Sequence, residues 1–348
     1  MTNNLPLTAS RVITYVCDDT NCHDEVETVT LMGEDRAVLV IGATGFVGRR
    51  VVRELTAAGL PVRSLVRDPT RAGDLAGERV EVVRGDMLDA HTVSAAAQQV
   101  RAVIVCVHTV SPQPARQAGQ DFIDVEEAGV GNIVAACRAN AVARVLYVTS
   151  IGVAADARSS WTRGRARIEN LLFTSGLDVT VLRPGMIVGH GGDGFGLVER
   201  GARHRAAVLM SSAYQRFRTV AADDVAHQLV ALIDEPRSFG QHFDVGIDDV
   251  LTIDEMIDLA ADHLNRPHPA KIHLPRRLIA RVAPLIERIA KMPPGAIGGF
   301  VGAGSDTDMI GDAAPIRALL DRPPVSFATA MAQALREESA TTAAGTAA

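Results

Sequence analysis

Three regularly spaced glycines could bind a phosphate group. Gly42, Gly45 and Gly48 lie between an apolar run that is predicted to be a buried strand, Ala37–Ile41, and a stretch with helical spacing, residues 46–58. In this position Gly42 turns the chain, Gly45 lets the backbone approach a pyrophosphate, and Gly48 lets the helix pack on the strand. The N–H groups at the start of the helix attract negative charge. The pattern predicts a dinucleotide site, with an ordinary tight turn as the alternative.

The end of the second predicted strand, residues 61–66, indicates which dinucleotide would bind. An NAD site carries an acidic side chain there, which binds the ribose hydroxyls. This chain has Arg67 instead, and a guanidinium can hold a 2′-phosphate through paired N–H donors. The sequence therefore favours NADP(H), with NAD(H) as the second choice. The alternative is that Arg67 only forms a surface ion pair with Asp68 or Asp74.

Strands and helices alternate around this turn, and the alternation must position its residues. Further strands are predicted at 80–83, 102–107, 144–149 and 179–182, and helices at 88–99, 125–140 and 165–175. This order implies parallel strands that are joined by right-handed crossovers. The predicted fold class is α/β, a Rossmann-type doubly wound parallel sheet followed by a smaller, mainly helical C-terminal substrate region.

The predicted organisation has four parts. Residues 1–35 form an N-terminal extension with a hairpin of two β-branched stretches, 11–17 and 25–31, and residues 36–235 form the dinucleotide-binding domain, whose loop 184–215 contributes to the cleft. Residues 236–336 form the substrate or lid region, and residues 337–348 a disordered tail. Within these parts, a mobile glycine-rich loop is predicted at 189–196, helices at 221–233 and from Thr252 as N-cap to Leu264, and a strand at 242–245.

Charge and composition exclude several classes of protein. Of the 348 residues, 35 are basic and 41 acidic, and this net charge of −6 is unfavourable for nucleic-acid binding. No apolar run approaches the roughly 18 to 20 residues of a membrane span, and no secretory signal is visible, so a cytoplasmic location is expected. The four cysteines are too few for a disulfide scaffold. Cys17, Cys22 and His23 would supply only part of a zinc site, and no metal is predicted there.

The spacing Gly-x-x-Gly-x-x-Gly resembles the glycine motif of extended and atypical short-chain dehydrogenases/reductases. Further similar segments are Gly85-Asp86-Met87-Leu88-Asp89, the fifth strand with its terminal Ser150, and Leu182-Arg183-Pro184-Gly185. The resemblance implies two sets of site residues. Around the adenine and pyrophosphate these would be Gly42, Thr44, Gly45, Phe46, Val47, Gly48, Arg67, Asp86 and Met87; around the nicotinamide they would be His108, Ser150, Trp161, Arg165, Pro184, Met186 and Ile187.

The resemblance fails at the residues that move a proton. Reductases of this family use a Tyr-x-x-x-Lys pair, and the matching positions here are Trp161 and Arg165. An indole N–H is no general acid near neutral pH, and a guanidinium does not release its proton. The candidates that remain are Ser150 and His108, because Tyr147 falls within a predicted strand. His108 titrates in the useful range but is predicted to line the site rather than to catalyse.

These features predict an NADPH-dependent atypical reductase that acts on a small or lipophilic organic substrate. The alternative is a non-catalytic NADP-binding redox sensor or accessory protein, since the atypical branch of the family includes NmrA-like sensors and the nucleotide-binding subunit of respiratory complex I. An isomerase or dehydratase that keeps its nicotinamide is a third hypothesis. The oligomeric state is not predicted.

A basic amphipathic stretch, residues 276–291, belongs to the substrate side. Its apolar positions include Leu278, Ile279 and Leu285, and its polar side carries arginines. The favoured interpretation is a lid helix that packs on the sheet domain. Contact of residues 276–304 with a membrane surface is the alternative, against which the kink expected at Pro284 counts.

Overall fold

The computed structural model describes residues 36–107, 122–157, 159–289 and 307–346, and the backbone of short strands between residues 9 and 31. Those strands are β1 (Ala9–Thr14), β2 (Cys17–Asp18), β3 (Asn21–Cys22) and β4 (Val26–Leu31). Strand β1 pairs antiparallel with β4, and β2 with β3, which confirms the predicted hairpin. Cys17 and Cys22 are partners in the register of β2 and β3. His23 lies outside the described residues, so the expectation about a metal stays a prediction.

The alternation of elements in the sequence produces one large parallel sheet. Its strands are β5 (Ala37–Ile41), β6 (Val62–Val66), β7 (Val80–Arg84), β8 (Val100–Val105), β9 (Arg144–Val148), β10 (Asp178–Pro184) and β14 (Gln241–Val245). Their spatial order in the described part of the chain is β14–β10–β9–β8–β5–β6–β7. The chain order reverses between β5 and β8, and ligands of such sheets bind beyond the carboxyl ends of the strands at this point.

Helices cover both faces of the sheet, as the sequence predicts. The helices are α1 (Phe46–Ala57), α2 (Ala90–Ala96), α3 (Phe122–Ala139), α4 (Ser160–Phe173) and α6 (Ala222–Ala231). In β5, Val38 and Val40 belong to the core beneath α1 and α6, whereas Leu39 and Ile41 belong to the core beneath α2, α3 and α4. Burial on both faces explains why β5 is an uninterrupted apolar run. The predicted doubly wound α/β fold is confirmed.

The C-terminal region is mainly helical, with small sheets that the sequence did not predict. Its helices are α5 (Asp193–Arg203), α7 (Ile253–His263), α8 (Arg276–Ile289), α9 (Ala314–Leu319) and α10 (Phe327–Thr346). Strands β11 (Met186–Val188), β13 (Arg216–Ala221) and β15 (Val250–Thr252) form one sheet, and β12 (Ala206–Leu209) pairs with β16 (Ala270–His273). Thr252 caps α7 through a capping box with Glu255, as its predicted N-cap role requires. The predicted domain boundaries stay predictions.

Two segments that were predicted to be irregular are helical. The mobile loop that was expected at 189–196 is irregular only as far as Gly192, which is the N-cap of α5. The helix begins there because one of its sides, with Phe195 and Val198, is buried in the core. The expected disordered tail from residue 337 is wrong as far as Thr346, where α10 ends. Within this part of α10, Glu337 forms an ion pair with Arg50, and Glu338 forms one with Arg203.

Helix α8 does not pack on the large sheet as a lid would. In the described residues its buried apolar side chains are Ile279 and Ala283, which pack against Met210 and Leu274 beside β12 and β16. Much of its apolar surface therefore stays outside the core. No helix in the described ranges is both long enough and apolar enough to cross a membrane.

Candidate dinucleotide site

The glycine turn between β5 and α1 leaves no room for side chains. Gly42 has a φ of +89°, a conformation that favours glycine, and a Cβ atom there would lie 2.8 Å from the carbonyl oxygen of Cys106. A Cβ atom at Gly48 would overlap the carbonyl oxygen of Gly42. The N–H of Gly45 donates to the same oxygen over 2.9 Å, which closes the turn. Gly42 thus turns the chain and Gly48 lets the helix pack on the strand end, as their spacing predicts, whereas the approach of Gly45 to a pyrophosphate stays a prediction.

The start of α1 is free to accept an anion. Gly45 is its N-cap and supplies no capping side chain, and no acidic residue lies in the first turn. Such a helix end offers N–H groups and partial positive charge to a phosphate. Thr44 is held in place by Arg49, whose Nε donates to the Thr44 carbonyl over 3.2 Å. Val47 packs on the sheet core, so it shapes this turn from below.

Arg49 also ties the glycine turn to the segment that follows β6. Its guanidinium donates to the carbonyl of Arg71 over 2.6 Å and pairs with Asp74. The sequence analysis missed Arg49, although its position directly after Gly48 makes it a neighbour of both the turn and the next strand exit. It is a residue that positions the site.

Arg67 lies exposed at the exit of β6, where its predicted role requires it. The neighbouring Asp68 accepts hydrogen bonds from the hydroxyl and the N–H of Thr70, at 2.7 and 3.0 Å. These bonds lower the pKa of Asp68, and the nearby Arg71 and Arg84 lower it further. Asp68 and Asp74 are the two carboxylates that were the alternative partners of Arg67. Each has a hydrogen-bond donor of its own, which is Thr70 for Asp68 and Arg49 for Asp74.

Asp86 and Met87 form the turn that follows β7. Asp86 accepts the N–H of Leu88 over 3.0 Å, and Met87 is buried beneath α3. A Cβ atom at Gly129 of α3 would overlap the Met87 side chain, and Asn132 donates to the Met87 carbonyl over 3.0 Å. The turn is thus fixed against α3 at the same edge of the sheet as the glycines.

Backbone hydrogen bonds align the other strand ends with this edge. The N–H of Cys106 donates to Ile41, that of Thr149 to Leu182, and that of Ile151 to Pro184, over 2.9 to 3.1 Å. Ser150 thereby lies between the ends of β9 and β10. His108 follows β8 but lies outside the described residues, so its expected place at the site stays a prediction.

Pro184, Met186 and Ile187 follow the edge from β10 into β11. A Cβ atom at Gly185 would overlap the carbonyl of Arg218, so the chain runs close to β13 at this point. Met186 packs towards α5, and Ile187 towards the core beneath α6. Met186 and Ile187 thus pack into two different cores, and the expectation that Pro184, Met186 and Ile187 contact a nicotinamide stays a prediction.

Arg165 is buried in a polar cluster that the sequence analysis missed. Its Nη1 donates to the Tyr147 hydroxyl over 3.1 Å and to the Val148 carbonyl over 3.2 Å, and lies 3.2 Å from Glu126 Oε1. The Tyr147 hydroxyl donates to the same oxygen of Glu126 over 2.5 Å. Trp161 covers the guanidinium, with 5.2 Å between the Arg165 Cζ and the indole. The available signal was Glu126, a charged residue on the apolar face of α3.

The charges of this cluster are fixed by burial. Desolvation raises the pKa of Tyr147 well above its usual value. Burial by itself would lower the pKa of Arg165, but Glu126, Tyr147 and Glu169 together outweigh this effect, so the pKa is raised and Arg165 stays a cation. Neither group can exchange a proton near neutral pH, and the expectation that Tyr147 belongs to the core is confirmed by its complete burial.

Several buried polar atoms near the end of β9 lack a partner in the described part of the chain. They are the hydroxyl oxygens of Thr149 and Ser150 and the Nε and Nη2 atoms of Arg165. Buried polar atoms nearly always have hydrogen-bond partners. Together with the glycine cradle, these atoms fit a polar ligand that lies across the strand ends. No cluster of metal-ligating side chains occurs in the described ranges.

Phe46 and His190 connect this edge of the sheet to the C-terminal region. Phe46 was expected at the site from the sequence, whereas His190 was not. A Cβ atom at Gly192 would lie 2.8 Å from the Phe46 ring, so the glycine-rich segment passes directly over it. Arg50 stacks on the Phe46 ring at 4.5 Å and donates to the His190 carbonyl over 3.3 Å. The Nδ1 atom of His190 is buried without a partner among the described residues.

Comparison with known proteins agrees with this geometry. The NAD(P)H azoreductase of Xenophilus azovorans is 26% identical over 208 residues, which cover 60% of this chain and 67% of the azoreductase. The ceramide reductase of Caulobacter vibrioides is 30% identical over 203 residues, which cover 57% of this chain and 61% of that protein. Across the first curated relatives that it matches, the chain spans from about a third to two thirds of their length.

A solved structure shows the same fold. The NADPH-dependent quinone oxidoreductase of Escherichia coli, crystallised with NADPH, superposes with a TM-score of 0.64, covering 84% of this chain and 98% of the oxidoreductase. At 18% identity this similarity concerns the fold alone. The family model described as NAD(P)H-binding matches residues 42–236, more than half of the chain. Because that match begins at the first glycine of the turn and covers more than half of the chain, this chain belongs to the NAD(P)H-binding family, in agreement with its resemblance to the atypical short-chain dehydrogenases/reductases.

Proposed function

We propose that this protein is an NADPH-dependent reductase of a small or lipophilic organic substrate. The observation that carries the proposal is the glycine turn, where a Cβ atom at Gly48 would overlap the Gly42 carbonyl, directly beneath an uncapped helix end. Two curated relatives, an azoreductase and a ceramide reductase, are named as reductases. Bound NADPH would supply a hydride for such a reaction.

The residues at the two ends of the site have separate tasks. The backbone of Thr44, Gly45, Phe46 and Val47 binds the pyrophosphate at the start of α1. Asp86 and Met87 contact the adenine. The nicotinamide is enclosed by Pro184, Met186 and Ile187, by Ser150, and by the buried pair of Trp161 and Arg165.

NADP is preferred over NAD in this proposal. The support comes from the basic surroundings of Arg67, where Arg71 and Arg84 act on the neighbouring carboxylate of Asp68. A 2′-phosphate brings negative charge and geometry that suit a guanidinium. The negative charge of Asp68 is partly stabilised by the hydrogen bond that the Thr70 hydroxyl donates to it.

Proton delivery must differ from that of the Tyr/Lys reductases. Trp161 and Arg165 do not release protons, and the raised pKa of Tyr147 keeps its hydroxyl neutral. The unpartnered hydroxyl of Ser150 is available to donate a hydrogen bond to a substrate oxygen. Solvent then supplies the proton, with His108 as the second candidate donor.

The cofactor part of the proposal is tested by calorimetric titration of the protein with NADPH. We expect binding by the unchanged protein, and loss of binding in Gly48→Ala because the new methyl group displaces the turn. Gly131→Ala is the matched control, since a Cβ atom at this helical glycine meets no neighbour within 4 Å. If the unchanged protein takes up neither NADPH nor NADH, the proposal is wrong.

The reductase part is tested with a panel of acceptors. Protein and NADPH are mixed with quinones, enals, azo dyes and ketolipids, and the absorbance of the reduced nicotinamide is followed. Turnover of one class supports a reductase and identifies its substrate type. Tight NADPH binding without turnover of any acceptor would instead favour the redox sensor or accessory protein.

A further inference from the structure

The outward side of α8 is apolar. Ile279 and Ala283 face the rest of the molecule, whereas Leu278, Leu285, Ile286 and Ile289 are between 39% and 74% exposed. The spacing of Leu278, Leu285 and Ile289 places them in line along the helix. These four side chains are called the outer stripe below. Single exposed apolar residues are ordinary, but a continuous group of them marks an interaction surface.

A row of arginines runs beside the outer stripe. Arg277, Arg281 and Arg288 are exposed, and their spacing places them on one side of α8. None of them forms an ion pair with a residue that the structure describes. Pro284 falls in this basic row, and α8 remains helical through it, so the expected kink does not divide the outer stripe.

The adjoining two-stranded sheet extends the apolar surface. Val208 of β12 and Ile272 of β16 are partners in its register, and both are exposed. The neighbours of Val208 in β12, Ala207 and Leu209, belong to the core. Because β16 leads directly into α8, exposed apolar side chains continue from this sheet onto the helix.

The charge of this surface selects its partner. Residues 276–291 contain five basic residues and one acidic residue, in a chain with a net charge of −6. Two copies that packed antiparallel through this helix would bring their arginine rows together. A surface that is both apolar and basic is instead complementary to anionic lipid headgroups over an acyl layer. A helix of 14 residues is also too short to span a bilayer and is suited to lie in its interface.

We propose that the outer stripe and arginine row of α8 dock this protein on the surface of an anionic membrane. The helix lies parallel to the membrane, the outer stripe enters the acyl boundary, and the arginines contact the headgroups. This docking uses none of the residues that are assigned to the dinucleotide.

The proposal is tested by sedimentation of the full-length protein with lipid vesicles. We expect binding to mixed phosphatidylcholine–phosphatidylglycerol vesicles, weakened by salt, and little binding to pure phosphatidylcholine vesicles. Leu285→Asp and Ile289→Asp should each weaken binding about tenfold or more, and Arg281→Ala about fivefold. Leu259→Asp is the matched control, because Leu259 on α7 is a similarly exposed leucine at 41%. Thermal unfolding verifies that each variant is folded.

Three outcomes would overturn the proposal. The first is no binding to anionic vesicles by the unchanged protein. The second is equal weakening by Leu259→Asp and Leu285→Asp, which would remove the link to α8. The third is self-association in the ultracentrifuge that Leu285→Asp abolishes, without vesicle binding, which would make a second copy the partner of the outer stripe.

Discussion

Arg67 and Asp68 place opposite charges side by side at the exit of β6. Asp68 begins the short 3₁₀-helix Pro69–Ala72 by accepting the Thr70 N–H, so its carboxylate has a structural task. Arg67 extends from the strand end at which dinucleotide-binding proteins recognise the ribose. At the scale of single residues, the proposed preference for NADP therefore rests on this one guanidinium.

Arg67→Ala should weaken NADP binding about tenfold and leave NAD binding unchanged, because a charge-assisted bond to a phosphate is lost. Isothermal titration with both dinucleotides measures this difference. Arg237→Ala is the control, since Arg237 is exposed and pairs with Glu235 near the amino ends of the strands. Equal losses for NAD and NADP would contradict the assignment of Arg67.

At the scale of elements, three of them (α3, β9 and α4) each contribute one residue to the buried polar cluster around Arg165. Glu126 comes from α3, Tyr147 from β9 and Arg165 from α4, and all three are almost completely buried. Gly164 lets α4 approach α3, because a Cβ atom there would overlap Ile123. The pair thus fixes the packing of the two helices in the region where related reductases keep their proton donor.

Loss of one partner of this pair should strongly destabilise the fold. Glu126→Gln or Arg165→Met leaves a buried charge uncompensated, and we expect the free energy of unfolding to fall by about 3–5 kcal/mol. Replacing both, as Glu126→Leu with Arg165→Met, should cost less than the sum of the single changes. Urea unfolding without cofactor measures the cycle, and additive losses would contradict the coupling.

Helix α5 carries a carboxyl group that links stability to pH. Glu199 is buried, and burial together with the nearby Glu338 of α10 raises its pKa to about 7. Arg203 and Arg200 oppose this rise. Its Oε1 atom has no hydrogen-bond partner among the described residues.

The folded protein should therefore lose stability as the pH rises through the range between the ordinary pKa of Glu199, 4.5, and about 7. In this range the folded state keeps a proton that the unfolded state releases, so the contribution of Glu199 decreases by about 1–3 kcal/mol. Urea unfolding at several pH values compares the unchanged protein with Glu199→Gln. Parallel pH profiles of the two proteins would show that Glu199 is not responsible.

At the scale of the whole molecule, Arg50 joins the sheet domain to the C-terminal region. From α1 it reaches Asp223 of α6 over 3.1 Å, the His190 carbonyl over 3.3 Å and Glu337 of α10 over 3.4 Å. It also stacks on Phe46, next to the glycine turn. One side chain thus connects the cofactor end of α1 with the last helix of the chain.

Arg50→Ala should reduce the free energy of unfolding by about 1–3 kcal/mol. It should also speed amide hydrogen exchange in residues 189–192 and 327–338. Arg53→Ala, one turn further along α1, is the control. Arg53 is 65% exposed and lies 3.9 Å from Asp74, a surface pair that contributes little. Hydrogen exchange that changes equally in both variants would contradict the linking role of Arg50.

The amino-acid sequence determined the sheet domain and the position of its glycine turn. Apolar runs such as Ala37–Ile41 can only be buried on both faces, and glycines such as Gly48 are required wherever two backbones touch. These are local constraints, and they are written in consecutive residues. The same holds for the missing Tyr/Lys pair, because Trp161 and Arg165 are identified by spacing alone.

Only the tertiary structure decided the partners of those residues. Glu126, Tyr147 and Arg165 are separated by up to 39 positions, and their shared charge arises only when α3, β9 and α4 pack together. The burial of α5 and α10, and the exposure of the outer stripe of α8, likewise depend on surfaces from distant parts of the chain. An amphipathic pattern gives the apolar side of a helix, but whether that side is covered depends on what the rest of the fold brings to it.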